Sequence, residues 1–112
     1  MAKDDYHVII YQILAYLYQQ LKRGKTIDTR MLLADGKLFQ INESYYIFII
    51  ESLLLEGLIT GPVVDETMAG KFVDGLEYTQ ITVKGIEYLM DNAFLNKAKR
   101  FLKDVKEVTP FI

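Results

Sequence analysis

Cysteine is absent from this chain, histidine occurs once, and proline occurs twice. Without cysteine there is no disulfide, no zinc–thiolate site and no iron–sulfur cluster, which fits a reducing compartment. His7 has no second imidazole with which to share a metal, and at the start of the first helix it reads as a solvent-facing or partly packed side chain rather than a catalytic one. Serine nucleophiles are limited to Ser44 and Ser52, and neither has a nucleophile elbow or an oriented base. The prolines serve as punctuation: Pro62 confines its strand to a sheet edge, and Thr109-Pro110 stops the final helix. Between residues 38 and 70 there is no basic side chain at all. These shortages point away from an enzyme and leave no resident metal or cofactor to assign.

What is present is apolar. Of 112 residues, 51% are hydrophobic, which excludes a disordered chain and suits one domain spanning 1–112 with its own core. The stretch 8–18 is nearly all apolar, yet Lys3 stands against Asp4 and Asp5, the wrong sign for a secretory leader. The run is also too short and too interrupted to span a bilayer. The expectation is a cytoplasmic protein that does not enter a membrane.

The formal net charge of −2 conceals an uneven distribution. Residues 1–37 balance at +2, 38–70 at −5, 71–96 at −2 and 97–112 at +3. Any basic contact surface must therefore come from the ends of the chain, and a generic polyanion binder is not indicated.

The spacing predicts a first helix capped by Asp4 or Asp5, running to about residue 23 and stopped by Gly24. Its apolar positions include Tyr6, Ile9, Ile10, Ile13, Leu14, Leu17 and Leu21, and Tyr11, Tyr16 and Tyr18 broaden the stripe. An arc that wide needs two neighbours, and the last helix, a second subunit or both are expected to cover it. Thr26-Ile27 is extended, and Asp28 or Thr29 caps a short helix through Met31, Leu32 and Leu33 that ends at Asp35-Gly36. Asn42 caps a third helix, with Ile41 and Tyr46 forming a hydrophobic staple and Gly57 supplying its stop. Residues 58–64 read as an edge strand, 65–77 as a turn-rich excursion, and 78–81 as the returning strand. Thr82 caps a further helix to about residue 90, with Ile81 and Ile86 repeating the staple. A last amphipathic helix over 93–108 sets Phe94, Ala98, Phe101, Leu102 and Val105 on one face, with Lys97, Lys99, Arg100, Lys103 and Lys106 on the remainder. Helix, strand, excursion, strand, helix is the order in which a helix-turn-helix domain carries a β-wing. The fold expected is α+β: a winged helix-turn-helix domain with a small antiparallel wing and an added C-terminal helix.

Particular residues carry a more specific likeness. Thr82-Val83-Lys84-Gly85-Ile86-Glu87-Tyr88-Leu89, then Asn92 and Lys97-Ala98-Lys99, resemble the C-terminal signature of the YjcQ-like family. Ile13-Leu14 with Tyr16-Leu17-Tyr18, Tyr45-Tyr46 with Leu53, and Glu56-Gly57-Leu58-Ile59 with Gly61 match the same pattern. The resemblance covers nearly the whole chain. It implies a small winged-helix protein of the type found in Gram-positive bacteria and their prophages, associated with regulation or with phage heads, and it implies no catalytic residue.

Remaining motifs read as structure. Asp65-Glu66 is a solvated turn rather than a metal site, because no further ligands accompany it. Gly70-Lys71 lacks the upstream glycine and following Ser/Thr of a phosphate loop. Thr82 satisfies a helix N-terminus, and Gly85 lets that helix lie close to the sheet.

The third helix occupies the recognition position of such a fold, and its outward residues are Ser44, Phe48, Glu51, Ser52 and Leu55, with Tyr45 at the flank. A helix that reads base edges offers Arg, Lys, Asn or Gln. This one offers acids and apolar side chains, so a protein partner or self-association through Tyr45, Phe48, Glu51 and Leu55 is expected ahead of base readout. DNA remains as a weaker partner, held by Lys22, Arg23, Lys25 and Lys71 as phosphate contacts, with Arg30 and Lys37 nearby. The bases of the last helix chiefly complement its dipole. Two functions therefore nearly tie: DNA-linked regulation leads, favoured by the fold and its usual context, and a protein-interaction or phage structural component, favoured by the acidic, apolar third helix, is the runner-up.

Overall fold

Helix α1 (Tyr6–Arg23) opens the chain in a computed structural model that describes residues 4–91. Asp5 caps it by accepting from the His7 amide, and Gly24 ends it in the left-handed conformation with its N–H on the Gln20 and Leu21 carbonyls. Ten consecutive residues, 8–17, are buried, so α1 is enclosed all round along its centre and packs against three described elements. Tyr11 and Tyr16, which broaden its apolar arc, are among the buried residues, and the cover expected from the last helix lies outside the described residues. Within that core the Gln12 amide donates to the Leu38 carbonyl at 3.0 Å, and the Tyr16 hydroxyl accepts from the Asp28 amide at 2.7 Å. Both bonds tie the following loop to α1.

That loop carries a smaller element than expected. The short helix predicted through Leu33 is a single 3-10 turn, Thr29–Met31, capped by Asp28. Asp28 also holds Arg30 in a bidentate pair at 3.0 and 3.1 Å. The guanidinium's hydrogen bonds hold the Asp28 carboxyl below the usual carboxylate range. Helix α2 (Glu43–Leu55) then begins as predicted at Asn42, whose side chain accepts from the Tyr45 amide. It buries Tyr46, Ile47, Ile49, Ile50 and Leu53.

The strands depart from expectation. The continuous strand expected over 58–64 is divided into β1 (Ile59–Thr60) and β2 (Val63–Thr67), and the cause lies between them. Gly61 has φ +113° and lies against the Tyr78 backbone, where a Cβ would overlap the Tyr78 carbonyl. Pro62 follows without an amide to donate to a ladder. The chain bends there and starts a separate hairpin. β2 pairs antiparallel with β3 (Gly70–Asp74), so the tip lies at Met68-Ala69, within the turn-rich excursion expected over 65–77. The return strand expected over 78–81 is likewise split, into a 3-10 turn Leu76–Tyr78 and β4 (Gln80–Ile81), which pairs antiparallel with β1.

Helix α3 (Val83–Leu89) is fixed at its start by Thr82. The Thr82 hydroxyl accepts from the Gly85 amide at 3.0 Å and donates to the Gly57 carbonyl at 2.6 Å, joining the start of α3 to the end of α2. Among the described residues the fold is α+β, with three α-helices and two two-stranded antiparallel sheets, an arrangement compatible with a helix-turn-helix and wing. The helix expected over 93–108 lies outside the described residues.

Candidate interaction surface

The register of the hairpin decides what α2 can present. Residues paired across an antiparallel ladder share a face, so Val64, Val73, Glu66 and Lys71 lie on one side and Val63, Asp65, Phe72 and Asp74 on the other. Val64 and Val73 pack on the core, and the Lys71 ammonium reaches Glu51 of α2 at 3.2 and 3.3 Å from its two carboxylate oxygens. The first side therefore faces α2. Val63 and Phe72, on the second side, remain exposed.

This geometry separates the residues predicted to act together. Lys71, expected to meet phosphate, is instead turned onto the third helix and engaged by its acid. Glu51 is correspondingly half-buried and partly neutralised. Tyr45 is half-buried, and its hydroxyl donates to the Asp4 carbonyl at 2.7 Å, so it braces the start of α1 rather than standing free. Ser52 spends its hydroxyl on the Phe48 carbonyl one turn back.

Phe48 and Leu55 are what α2 leaves for a partner. They are 57% and 86% exposed, and seven residues apart they fall on the same face of the helix. Among the described residues Phe48 makes an edge contact with the Tyr6 ring at 6.3 Å between ring centres. Exposed Ser44, Glu43 and Glu56 complete the surroundings, and no Lys or Arg occurs on the helix.

The other cations lie at the far end of α1. Lys22, Arg23 and Lys25 are all exposed, with the Lys22 ammonium 4.5 Å from the centre of the Tyr18 ring. Next to them opens a cleft of about 560 Å³ between the end of α1 and the segment 77–81. Leu17, Leu21, Ile27 and Ile81 give it apolar walls, and Lys25 and Tyr78 stand among its polar and aromatic lining. Nothing in the sequence pattern pointed to this cleft, because it forms where two segments far apart in the chain meet. The exposed hairpin residues were also missed. Residues 63–67, Val-Val-Asp-Glu-Thr, show no apolar–polar alternation, so which side chains face outward follows only from the hairpin register.

Among the described residues no cluster of three or more His, Cys, Asp or Glu could hold a metal ion, and no helix is long and apolar enough to cross a membrane. Comparison with curated proteins and with solved structures gives no match. The family described as YjcQ protein does match, over residues 11–108, a span that takes in α1 from Tyr11 together with α2, the hairpin and α3. The chain belongs to the YjcQ family.

Proposed function

We propose that this protein is a non-catalytic interaction module that binds another protein through the outward face of α2. The observation that carries this reading is the pair Phe48 and Leu55, exposed one above the other on a helix without a single base. Large apolar side chains grouped at a helix surface gain free energy when a partner covers them, about 25 cal/mol for each Å² removed from water. Phosphates would meet Glu43 and Glu56 instead, with Glu51 already occupied by Lys71. The partner that suits this face is apolar with a basic rim. A head-associated structural protein of a phage, one of the roles suggested by the family likeness, is a partner or context of that kind.

The second reading, DNA-linked regulation, is supported by one observation, the exposed cations Lys22, Arg23 and Lys25 at the end of α1. It assigns them to phosphates, with no base-reading helix behind them.

A photo-crosslinking residue placed at Phe48 or at Leu55, in cells that naturally carry the protein, tests the first reading. A discrete protein adduct is expected from both positions and none from exposed Lys84. Adducts to DNA, or no adduct from either position, would overturn it.

A further inference from the structure

We infer that the cleft at the end of α1 receives the hairpin tip of a second copy of this chain. Two complementary features carry the inference, and neither belongs to the α2 face. The tip is a knob: Met68 is fully exposed, and Asp65 and Glu66 stand exposed beside it. The cleft is a socket of about 560 Å³ with apolar walls, Lys25 in its lining and Lys22 and Arg23 exposed nearby on the same helix end.

The chemistry matches part by part. Methionine is unbranched and polarisable, suited to an irregular apolar cleft and to contact with an aromatic ring edge such as Tyr78. Carboxylates flanking it would meet the cations of α1 as the thioether enters. Glu77 is the one acid in the lining, and it opposes that pairing in part. Lys71, the only base on the hairpin, sits across the ladder from Glu66 but pairs with Glu51, and Asp65 stands on the opposite face, away from it.

A chain cannot fill its own socket. Glu77 and Tyr78 of the cleft begin two residues after Gly75 at the base of the hairpin, whereas the tip is at the other end of β3. Five residues of extended strand carry the tip roughly 13–17 Å away from that base. The knob thus lies at the far end of the hairpin from the socket. A contact between two different patches of this kind can be exchanged reciprocally between two copies, closing as a two-fold dimer, or it can run from copy to copy into a ring or an open chain.

Complementation between two surface variants tests this. Met68→Asp removes the knob, and Leu21→Glu with Lys25→Glu spoils the socket; all three positions are exposed, and unchanged circular dichroism and melting will check that each variant is folded. By sedimentation equilibrium in low salt at about 1 mM, wild-type protein should exceed the 13.0 kDa of one chain, while each variant alone should associate at least about tenfold more weakly. Mixed, the two variants should form a one-to-one dimer, since one retains a socket and the other a knob, and added salt should weaken it. Phe48→Asp should leave self-association unchanged, which separates this contact from the α2 face. A wild-type chain that stays monomeric, variants that associate as well as wild type, or a mixture that forms no dimer would each overturn the inference.

Discussion

A methyl group at Gly85 has nowhere to go. Its Cβ would overlap the Leu58 carbonyl oxygen and lie 2.8 Å from Ile81 Cγ1, so α3 rests on the β1–β4 ladder through bare backbone. Alanine ordinarily gains about 1 kcal/mol over glycine inside a helix, but forced overpacking costs about 1–3 kcal/mol. Backbone and sheet cannot yield here as a long side chain could, so Gly85→Ala should lower the midpoint of urea unfolding rather than raise it. Tyr46 makes the opposite case. Its hydroxyl is buried without a hydrogen-bond partner, and burial pushes the phenol well above the ordinary tyrosine range. Burial also raises Tyr11 and Tyr88. A phenol whose folded pKa exceeds its unfolded value of about 10 holds its proton in the folded state after the unfolded chain has lost it. Stability from this source is complete below pH 10 and falls as pH rises above it. Urea midpoints should therefore be level near neutrality and decline beyond about pH 10. Tyr46→Phe should be neutral or stabilising at pH 7, since it removes an unpaired buried hydroxyl, and should flatten that alkaline decline. A variant clearly less stable at pH 7 would mean that the hydroxyl has a bonding role.

Elements differ in how far the chain announces them. Asn42, Thr82 and Gly24 mark helix ends through chemistry that acts within four residues, and each marks the end it should. The break at Gly61-Pro62 is different, because what forbids a side chain at position 61 is the Tyr78 backbone, seventeen residues later. Once the break is placed, the hairpin register follows, and with it the direction of Lys71. Sequence spacing alone left Lys71 in a turn, free to meet phosphate. The ion pair with Glu51 joins the hairpin to α2, and both side chains remain more than a third exposed. Exposed pairs of this kind contribute about 0.2–1 kcal/mol and are screened by salt. In a double-mutant cycle with Glu51→Gln and Lys71→Met, the coupling energy should fall within that range at low salt and vanish in high salt. A coupling that survives high salt would show that the pair is shielded by neighbours rather than placed at the surface.

Charge is distributed over the whole molecule in a way the sequence disclosed in outline and the fold makes specific. The deficit of bases over 38–70 becomes an α2 without a cation, and the basic excess before residue 37 becomes the exposed group at the end of α1. Spatial grouping was the hidden part: Lys71, counted with that group by charge alone, belongs to α2. Three cations of the original four therefore remain to meet phosphate, Lys22, Arg23 and Lys25, and none stands on the helix that would enter a groove. DNA binding, where it occurs, should be weak and indifferent to sequence, because phosphate contacts position a protein without reading bases. Each such contact contributes about 0.9 to the slope of log affinity against log salt, so a random duplex should give a slope of about 3 or less. Lys22→Ala, Arg23→Ala or Lys25→Ala should each flatten it by about one unit, and Lys71→Ala should leave it unchanged. Titrations of one labelled duplex at several salt concentrations measure all four. A steep slope that Lys71→Ala reduces would mean that the lysine leaves Glu51 when DNA arrives. A single preferred sequence that depends on Ser44, Glu51 or Ser52 would mean that α2 reads bases despite its acids.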